Sequence, residues 1–286
     1  MIGPGAKTRL VLKRIEGVAW SMESDASQHG VTHVTIGQAT AVALHELFIS
    51  RTFVCLVKAG EKTFICPAAG TMTAVAGDVV VFPAGALVTI ENRPARNADY
   101  RAEVLFFRDD LVAAAFGHPG VSPHPVGAAF LLPRPPAAPG VFAHVAETLN
   151  DDRLPASIRH HRLMEPLIWL RDSGLRLRAH DDGAPLRRLR ALLETDLAHP
   201  WRASEVAGML AMSEPTFRRW LARHHLRFSV VLRNARLEQG LLLLQTGTRP
   251  ISDIALDCGF RTPSHFAEAF GRRFGHPPRA IRQRHD

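Results

Sequence analysis

Residues 251 to 282, ISDIALDCGFRTPSHFAEAFGRRFGHPPRAIR, leave this chain few ways to fold. Ile251, Ile254 and Ala255 form one apolar helical face. Gly259 comes four residues after Ala255, where a helix must stop and the chain must turn sharply. Glycine suits that place because it takes positive φ without a Cβ clash. Thr262 or Pro263 opens the next helix. Phe266 and Phe270 lie one turn apart and point inward, which leaves Ser264, His265, Glu268 and Arg272 on other faces. Two short helices around a Gly turn make a helix-turn-helix, whose second helix is shaped to enter a DNA major groove.

Residues 204 to 224, SEVAGMLAMSEPTFRRWLARH, predict a similar unit. Ser204 is read as the N-cap of a helix carrying Val206, Ala207 and Leu210. Ala207 and Ala211 stand where Ala255 and Gly259 stand later. Ser213 caps a second helix with Pro215 in its first turn. Its inner face is Phe217, Trp220 and Leu221; Thr216, Arg218, Arg219 and Arg223 are left outside. Ala207 to Phe217 is ten residues and Ala255 to Phe266 is eleven, so the units are similar but not copies. Between them Val230 to Leu244 predicts one helix, with Gly240 as a weak point.

The charge agrees with a polyanionic partner. The formal net charge is +8, and residues 184–286 hold all of the excess, with 17 Arg, no Lys and 9 acidic residues. Such a region is drawn to phosphate, with affinity that falls steeply as salt rises. Arginine is also the side chain best suited to bidentate contact with guanine. Cys55, Cys66 and Cys258 form no zinc spacing and read as core thiols in a reducing cytosol. No apolar run has transmembrane length and no signal segment opens the chain, which predicts a cytoplasmic protein.

On these residues, the stretch from about Pro185 to Arg284 resembles the DNA-binding domain of the AraC/XylS family of bacterial transcription regulators. The matching positions are Ala207, Ser213, Phe217 and Arg219, then Arg236-Leu237 and Leu243-Leu244. In the second unit they are Ile251, Ile254-Ala255, Gly259-Phe260, Phe266, Phe270, Gly275, Pro277-Pro278 and Arg282. Many members carry a Gly in the link before the connecting helix; here it is His224-His225-Leu226-Arg227-Phe228. That Gly-less link resembles the virulence and acid-stress branch.

The N-terminal half predicts β-structure. Candidate strands are Arg9–Ile15, Thr32–Ile36, Ala41–Ile49, Thr52–Val57, Lys62–Cys66, Thr71–Val75, Asp78–Phe82, Leu87–Glu91 and Glu103–Phe107, punctuated by Gly turns. Many short strands with regular turns argue for an antiparallel barrel. Gly77, Pro83, Gly85 and Asn92 resemble the second motif of cupin barrels. A metal-binding cupin has a His where this chain has Val88, and the first motif's His-x-His and Glu are missing. The resemblance therefore implies a metal-free barrel that binds a small effector or pairs two subunits. His29, His33, His45 and Glu46 follow no ligand spacing, so no metal and no cofactor is expected. Lys58 and Lys62 flank the 59–61 turn, and are read either as solvated hairpin lysines or as a cationic mouth for a carboxylate such as a fatty acid.

Residues 109–140 read as a Pro- and Gly-rich loop. Helices are predicted at Val141–Leu149 and Pro155–Ser173, the second with an apolar stripe; the family resemblance implies that helices here pair two subunits or pack against the barrel, and the alternative is that they only close its open side. The expected fold class is α+β: a metal-free, cupin-like antiparallel β-barrel followed by an all-α domain with two helix-turn-helix units. The expected division is 1–112 barrel, 113–183 linker and packing helices, and 184–286 DNA-binding domain. Within the last, the units span about 204–224 and 251–274.

The expected function is sequence-specific binding of promoter DNA, with activation through RNA polymerase, by a regulator that responds to a small effector and forms a homodimer. Two readers, Glu214–His224 and Pro263–Phe274, would enter major-groove segments about 34 Å apart. Thr216, Arg218 and Arg219, with Ser264 and His265, are the candidates for base contact. Arg223, Arg261, Arg272 and Arg273 are expected to hold phosphates. One alternative keeps the DNA binding but gives the N-terminal half only a pairing role. Another is a cupin-type enzyme with a DNA-binding tail, for which neither metal ligands nor a catalytic residue is visible.

Overall fold

A computed structural model of the chain describes residues 29–66, 70–117, 128–177, 185–224 and 226–281. The predicted strand Arg9–Ile15 lies outside them. Eight strands follow the other predicted segments: β1 (Val31–Gln38), β2 (Val42–Phe48), β3 (Phe53–Ala59), β4 (Glu61–Cys66), β5 (Gly70–Val75), β6 (Val79–Phe82), β7 (Leu87–Arg93) and β8 (Tyr100–Phe107). A ninth, β9 (Phe130–Leu132), pairs with β6. All pairings are antiparallel.

The strands form a five-stranded sheet, β1-β8-β3-β6-β9, and a four-stranded sheet, β2-β7-β4-β5. Among the described residues no strand pair joins the two, so the expected barrel is an open, cupin-like sandwich. The inner faces meet through Cys55, Val57, Phe64, Cys66, Val80, Phe82, Val104 and their neighbours. Each fully buried aromatic or aliphatic side chain contributes roughly 1.5–3 kcal/mol.

The five-stranded sheet is buried on both sides. Its outer face, Val54, Leu56, Val79, Val81, Leu105 and Phe107, packs on three helices. These are α1 (Asp109–Phe116), α2 (Ala138–Leu149) and α3 (Ala156–Asp172). Both α1 and β9 lie in the stretch read as a loop, and α1 sits on the sheet through Leu111, Val112 and Ala115.

The helical region begins with α4 (Pro185–Glu194), which sequence reasoning passed over. Then come α5 (Ala203–Met209), α6 (Glu214–Arg223), α7 (Phe228–Thr246), α8 (Ile251–Asp257), α9 (Pro263–Phe274) and α10 (Pro278–Ile281). Leu189 and Leu193 of α4 pack with Val206, Ala207, Phe217, Leu221 and Val231 into the core of the first unit. The second unit's core is Leu237, Leu241, Ile254, Ala255, Phe266, Phe270 and Phe274, continuous with the sandwich interior. Gly240 is not a weak point there: a Cβ on it would lie 2.7 Å from the ring of buried Phe266. Its bare backbone lets α9 approach α7.

The two halves touch directly. Helix α7 packs on β1 and α9 on β2. Gln245 of α7 donates to Gln38 Oε1 at 3.0 Å, and Asn92 donates to the same oxygen at 3.3 Å. Lys62 Nζ donates to Asn92 Oδ1 at 2.7 Å, which completes a buried polar chain from the sandwich to α7.

Candidate nucleic-acid interface

The two units turn by one mechanism. In the first, Leu210 ends α5, Ala211 takes φ 57°, and the amides of Ala211 and Met212 bond to the carbonyls of Gly208 and Ala207. In the second, Cys258 ends α8, Gly259 takes φ 75°, and the amides of Gly259 and Phe260 bond to Leu256 and Ala255. Both are left-handed helix stops that satisfy the last orphan carbonyls. The extra residue of the second unit, Arg261, follows this shared turn, which explains the ten-against-eleven spacing. Gly259 has a further constraint: a Cβ there would lie 2.3 Å from the carbonyl oxygen of Leu197.

Each reader helix opens on a side-chain cap. Ser213 Oγ accepts from the Thr216 amide at 3.3 Å, and Thr262 Oγ1 accepts from the His265 amide at 3.2 Å. Pro215 and Pro263 occupy first-turn positions, where no amide is needed. Ser204 is a correction. Helix α5 starts at Ala203, its N-cap is Arg202 without a side-chain bond, and Ser204 lies inside the helix.

On α6, Phe217 and Leu221 are buried while Thr216, Arg218, Arg219 and Arg223 are exposed. Glu214 holds Arg218 in place, its Oε1 accepting from Nε at 2.8 Å and Nη2 at 2.6 Å. Arg219 Nη2 lies 3.5 Å from Thr216 Oγ1. On α9, Ser264, His265 and Arg272 are exposed, as is Arg261 before it. Arg272 lies 3.5 Å from Glu268. Arg273 differs: its side chain is only 16% exposed and turns inward. It donates to the backbone oxygen of Glu46 at 3.1 Å and lies 3.8 Å from Glu238. The expected phosphate role for Arg273 is at odds with this placement, because its charge is committed within the molecule.

The lysines flanking the 59–61 turn do not converge. Lys58 pairs with Glu103 at 3.1 Å, and Lys62 faces the sandwich interior at 4% exposure. Successive strand residues point to opposite faces, and the two lysines sit on strands of different sheets. Neither a solvated hairpin pair nor a two-lysine carboxylate clamp describes them. Burial pushes the Lys62 ammonium below its ordinary value, against the opposing effect of Cys55; burial likewise pushes the Cys55 thiol up. His29 bonds Arg159 at 2.8 Å and His33 lies 3.8 Å from Glu103. Burial lowers the His33 pKa more than Glu103 raises it.

Sequence reasoning missed α4 and the buried charges it carries. Arg187 pairs with Asp109 of α1, and Arg190 pairs with Glu194 and with Glu238 of α7. The leucines at 186, 189 and 193 carried the helical signal. The pairings had none, being far apart in sequence. Between the sandwich and α4 and α7 lies a cleft of about 370 Å³ walled by Phe48, Phe106, Leu242, Leu243, Arg51 and Arg190.

Comparison with known proteins agrees with this geometry. A helix-turn-helix domain family model matches residues 206–284. The transcriptional regulator SirC of Salmonella typhimurium is 40% identical over 83 residues, 29% of this chain and 28% of that protein. The transcriptional activator RhaS of Klebsiella pneumoniae is 36% identical over 124 residues, 43% of this chain and 45% of that protein. The matched segment thus spans less than half the length of these relatives. Over the longer span the fold is that of ToxT from Vibrio cholerae. Its apo form gives a TM-score of 0.63 at 14% identity, covering 87% of this chain and 96% of that one. A form with unsaturated fatty acid bound gives 0.61 at 15%, covering 87% and 92%. Residues 206–284 thus carry an AraC-type helix-turn-helix domain like that of these regulators, set behind cupin-like sheets in a fold shared with ToxT.

Proposed function

We propose that the chain is a bacterial, cytoplasmic regulator that binds promoter DNA sequence-specifically through α6 and α9. The observation that carries this is the repeated turn geometry. Two capped reader helices, each behind the same left-handed stop, are held by one 19-residue connecting helix. Two such readers on one rigid support suit two major-groove segments on one face of a duplex, about 34 Å apart. Thr216, Arg218 and Arg219 take base edges in the first segment, and Ser264 and His265 in the second. Arg223, Arg261 and Arg272 take phosphates, which set register. Activation through RNA polymerase and pairing of two copies belong to the same reading, which assigns the chain no reaction; the apolar stripe of α3 is buried against its own sheet and does not supply the pairing face. It divides the chain at 1–112, 113–183 and 184–286. Footprinting on duplexes enriched from a random pool tests it: two protected elements on one face support it, and unselective binding contradicts it.

A second reading adds an effector. The cleft between sandwich and helices joins apolar walls, Phe48, Phe106 and Leu242, to the guanidinium of Arg51. That combination suits an amphipathic carboxylate, and a fatty acid is bound in a solved form of ToxT. A ligand wedged between the halves would shift the population competent for DNA. Operator affinity measured with and without oleate, in wild type and Arg51→Ala, tests this. An oleate effect lost in the variant supports it; no oleate effect in the wild type contradicts it.

A further inference from the structure

Glu238 lies on α7, midway between the two units, and its side chain is 13% exposed. Its carboxylate meets two arginines, one at each oxygen. Arg190 comes from α4, whose Leu189 and Leu193 belong to the core of the first unit. Arg273 comes from α9, the second reader helix, at 3.8 Å. One carboxylate thus ties the scaffold of the first reader to the second reader itself. Both arginines also touch β2. The Arg190 guanidinium lies 5.4 Å over the Phe48 ring, and Arg273 donates to the Glu46 oxygen at 3.1 Å. Glu46 is left-handed, φ 49°, inside the register shift between Leu44 and Leu47. A non-glycine residue in that region is strained and persists only where its surroundings demand it.

A buried ion pair adds little net stability, because desolvating the charges offsets their attraction. Its geometry is nevertheless restrictive, since a guanidinium is a planar fork that accepts an anion from few directions. Helix α9 already seats on α7 through Phe266 against Gly240, and the charges that meet at Glu238 add a directional restraint to that apolar packing.

We propose that Glu238 is the positioning residue that fixes the second reader helix relative to the first, and so sets the spacing of the DNA elements the chain accepts. Glu46 and Phe48 of β2 hold the same two arginines, which gives the sandwich a direct mechanical connection to that spacing. Loss of the carboxylate falls first on Arg273. Arg190 keeps Glu194 at 3.3 Å, while Arg273 keeps a neutral backbone oxygen and its place over the Phe274 ring.

This inference rests on the two-reader reading above, and the experiment separates the two. Full-length wild type and Glu238→Gln are titrated against a duplex enriched by the wild type. The same duplex with one base pair inserted or removed between the elements, and with the second element scrambled, completes the set. The expected result for Glu238→Gln is a loss of about tenfold on the native spacing, which is about 1.4 kcal/mol. The penalty for changed spacing should flatten, with less than a twofold change on the scrambled duplex. Glu238→Asp should restore most of the spacing penalty. Equal losses on every duplex, or a spacing penalty unchanged from wild type, overturns the inference. If no two-element duplex is enriched at all, the two-reader reading fails instead. Should Glu238→Gln not fold, Arg273→Gln, which removes the second reader's side of the same contact, is measured in its place with the same outcomes.

Discussion

In the first unit the turn residue is Ala211 at φ 57°; in the second it is Gly259 at φ 75°. The first turn tolerates a Cβ that the second does not, because Gly259 also abuts the Leu197 carbonyl. The reader helices differ in the same direction. Helix α6 presents Thr216, Arg218, Arg219 and Arg223 to solvent, with Arg218 held by Glu214 on its own helix. Helix α9 lies against β2 and turns Arg273 back toward Glu46 and Glu238. One backbone solution therefore serves two ends. The first unit presents its arginines to solvent, and the second gives up part of its charge to a junction with the sandwich.

The strongest way to break this comparison is Gly259→Ala. Left-handed backbone and a carbonyl at 2.3 Å act together, so the loss should reach about 3 kcal/mol or more. Denaturant midpoints at constant m would show it; a loss under about 1 kcal/mol would mean the turn is softer than described. Next is Arg218→Ala, expected to cost about 1–3 kcal/mol at one base position of the first element. Affinities across single-base duplex variants check this, and a uniform loss would make Arg218 a phosphate contact.

The reciprocal change, Ala211→Gly, sharpens the comparison from the other side. Relief of a left-handed alanine should outweigh the added chain entropy and gain about 0.5–1 kcal/mol. The readout is again the urea midpoint, and a destabilised variant would contradict the stated turn geometry.

The smallest effect concerns Lys62, whose ammonium is pushed by burial below its ordinary value of 10.5. Between its folded value and 10.5 the unfolded chain binds more protons. Stability from this group is thus fully present above the unfolded value and is lost as pH falls through the folded one. Lys62→Met should remove that alkaline rise, on top of a pH-independent loss from the orphaned Asn92 Oδ1. Midpoints for both proteins at several alkaline pH values check the sign; parallel curves would show that Lys62 does not titrate this way.

Much of this architecture was legible in the chain because it follows local rules. Short strand-like segments between regular turn signals located β1 to β8, and the Gly259, Ser213 and Thr262 signals located both turns and both caps. What escaped needed partners distant in sequence. Strand β9 has three residues and exists by pairing with β6 some fifty residues away. Helix α1 was hidden at the edge of a Pro- and Gly-rich stretch and is fixed by the sheet it covers. Lys62 looked solvated because a turn is near, although strand alternation aims it inward. Arg190, Glu238 and Arg273 meet from three helices, and no spacing announces such a junction.

Two unlike readers on one support should recognise one composite site. Enrichment from a random duplex pool by the full chain, repeated with Arg218→Ala, tests it most directly. The account predicts two elements about 10 base pairs apart, centre to centre, with the substitution relaxing the sequence of one element and leaving the other. A single element, no enriched sequence, or a substitution that blurs both elements equally would contradict it.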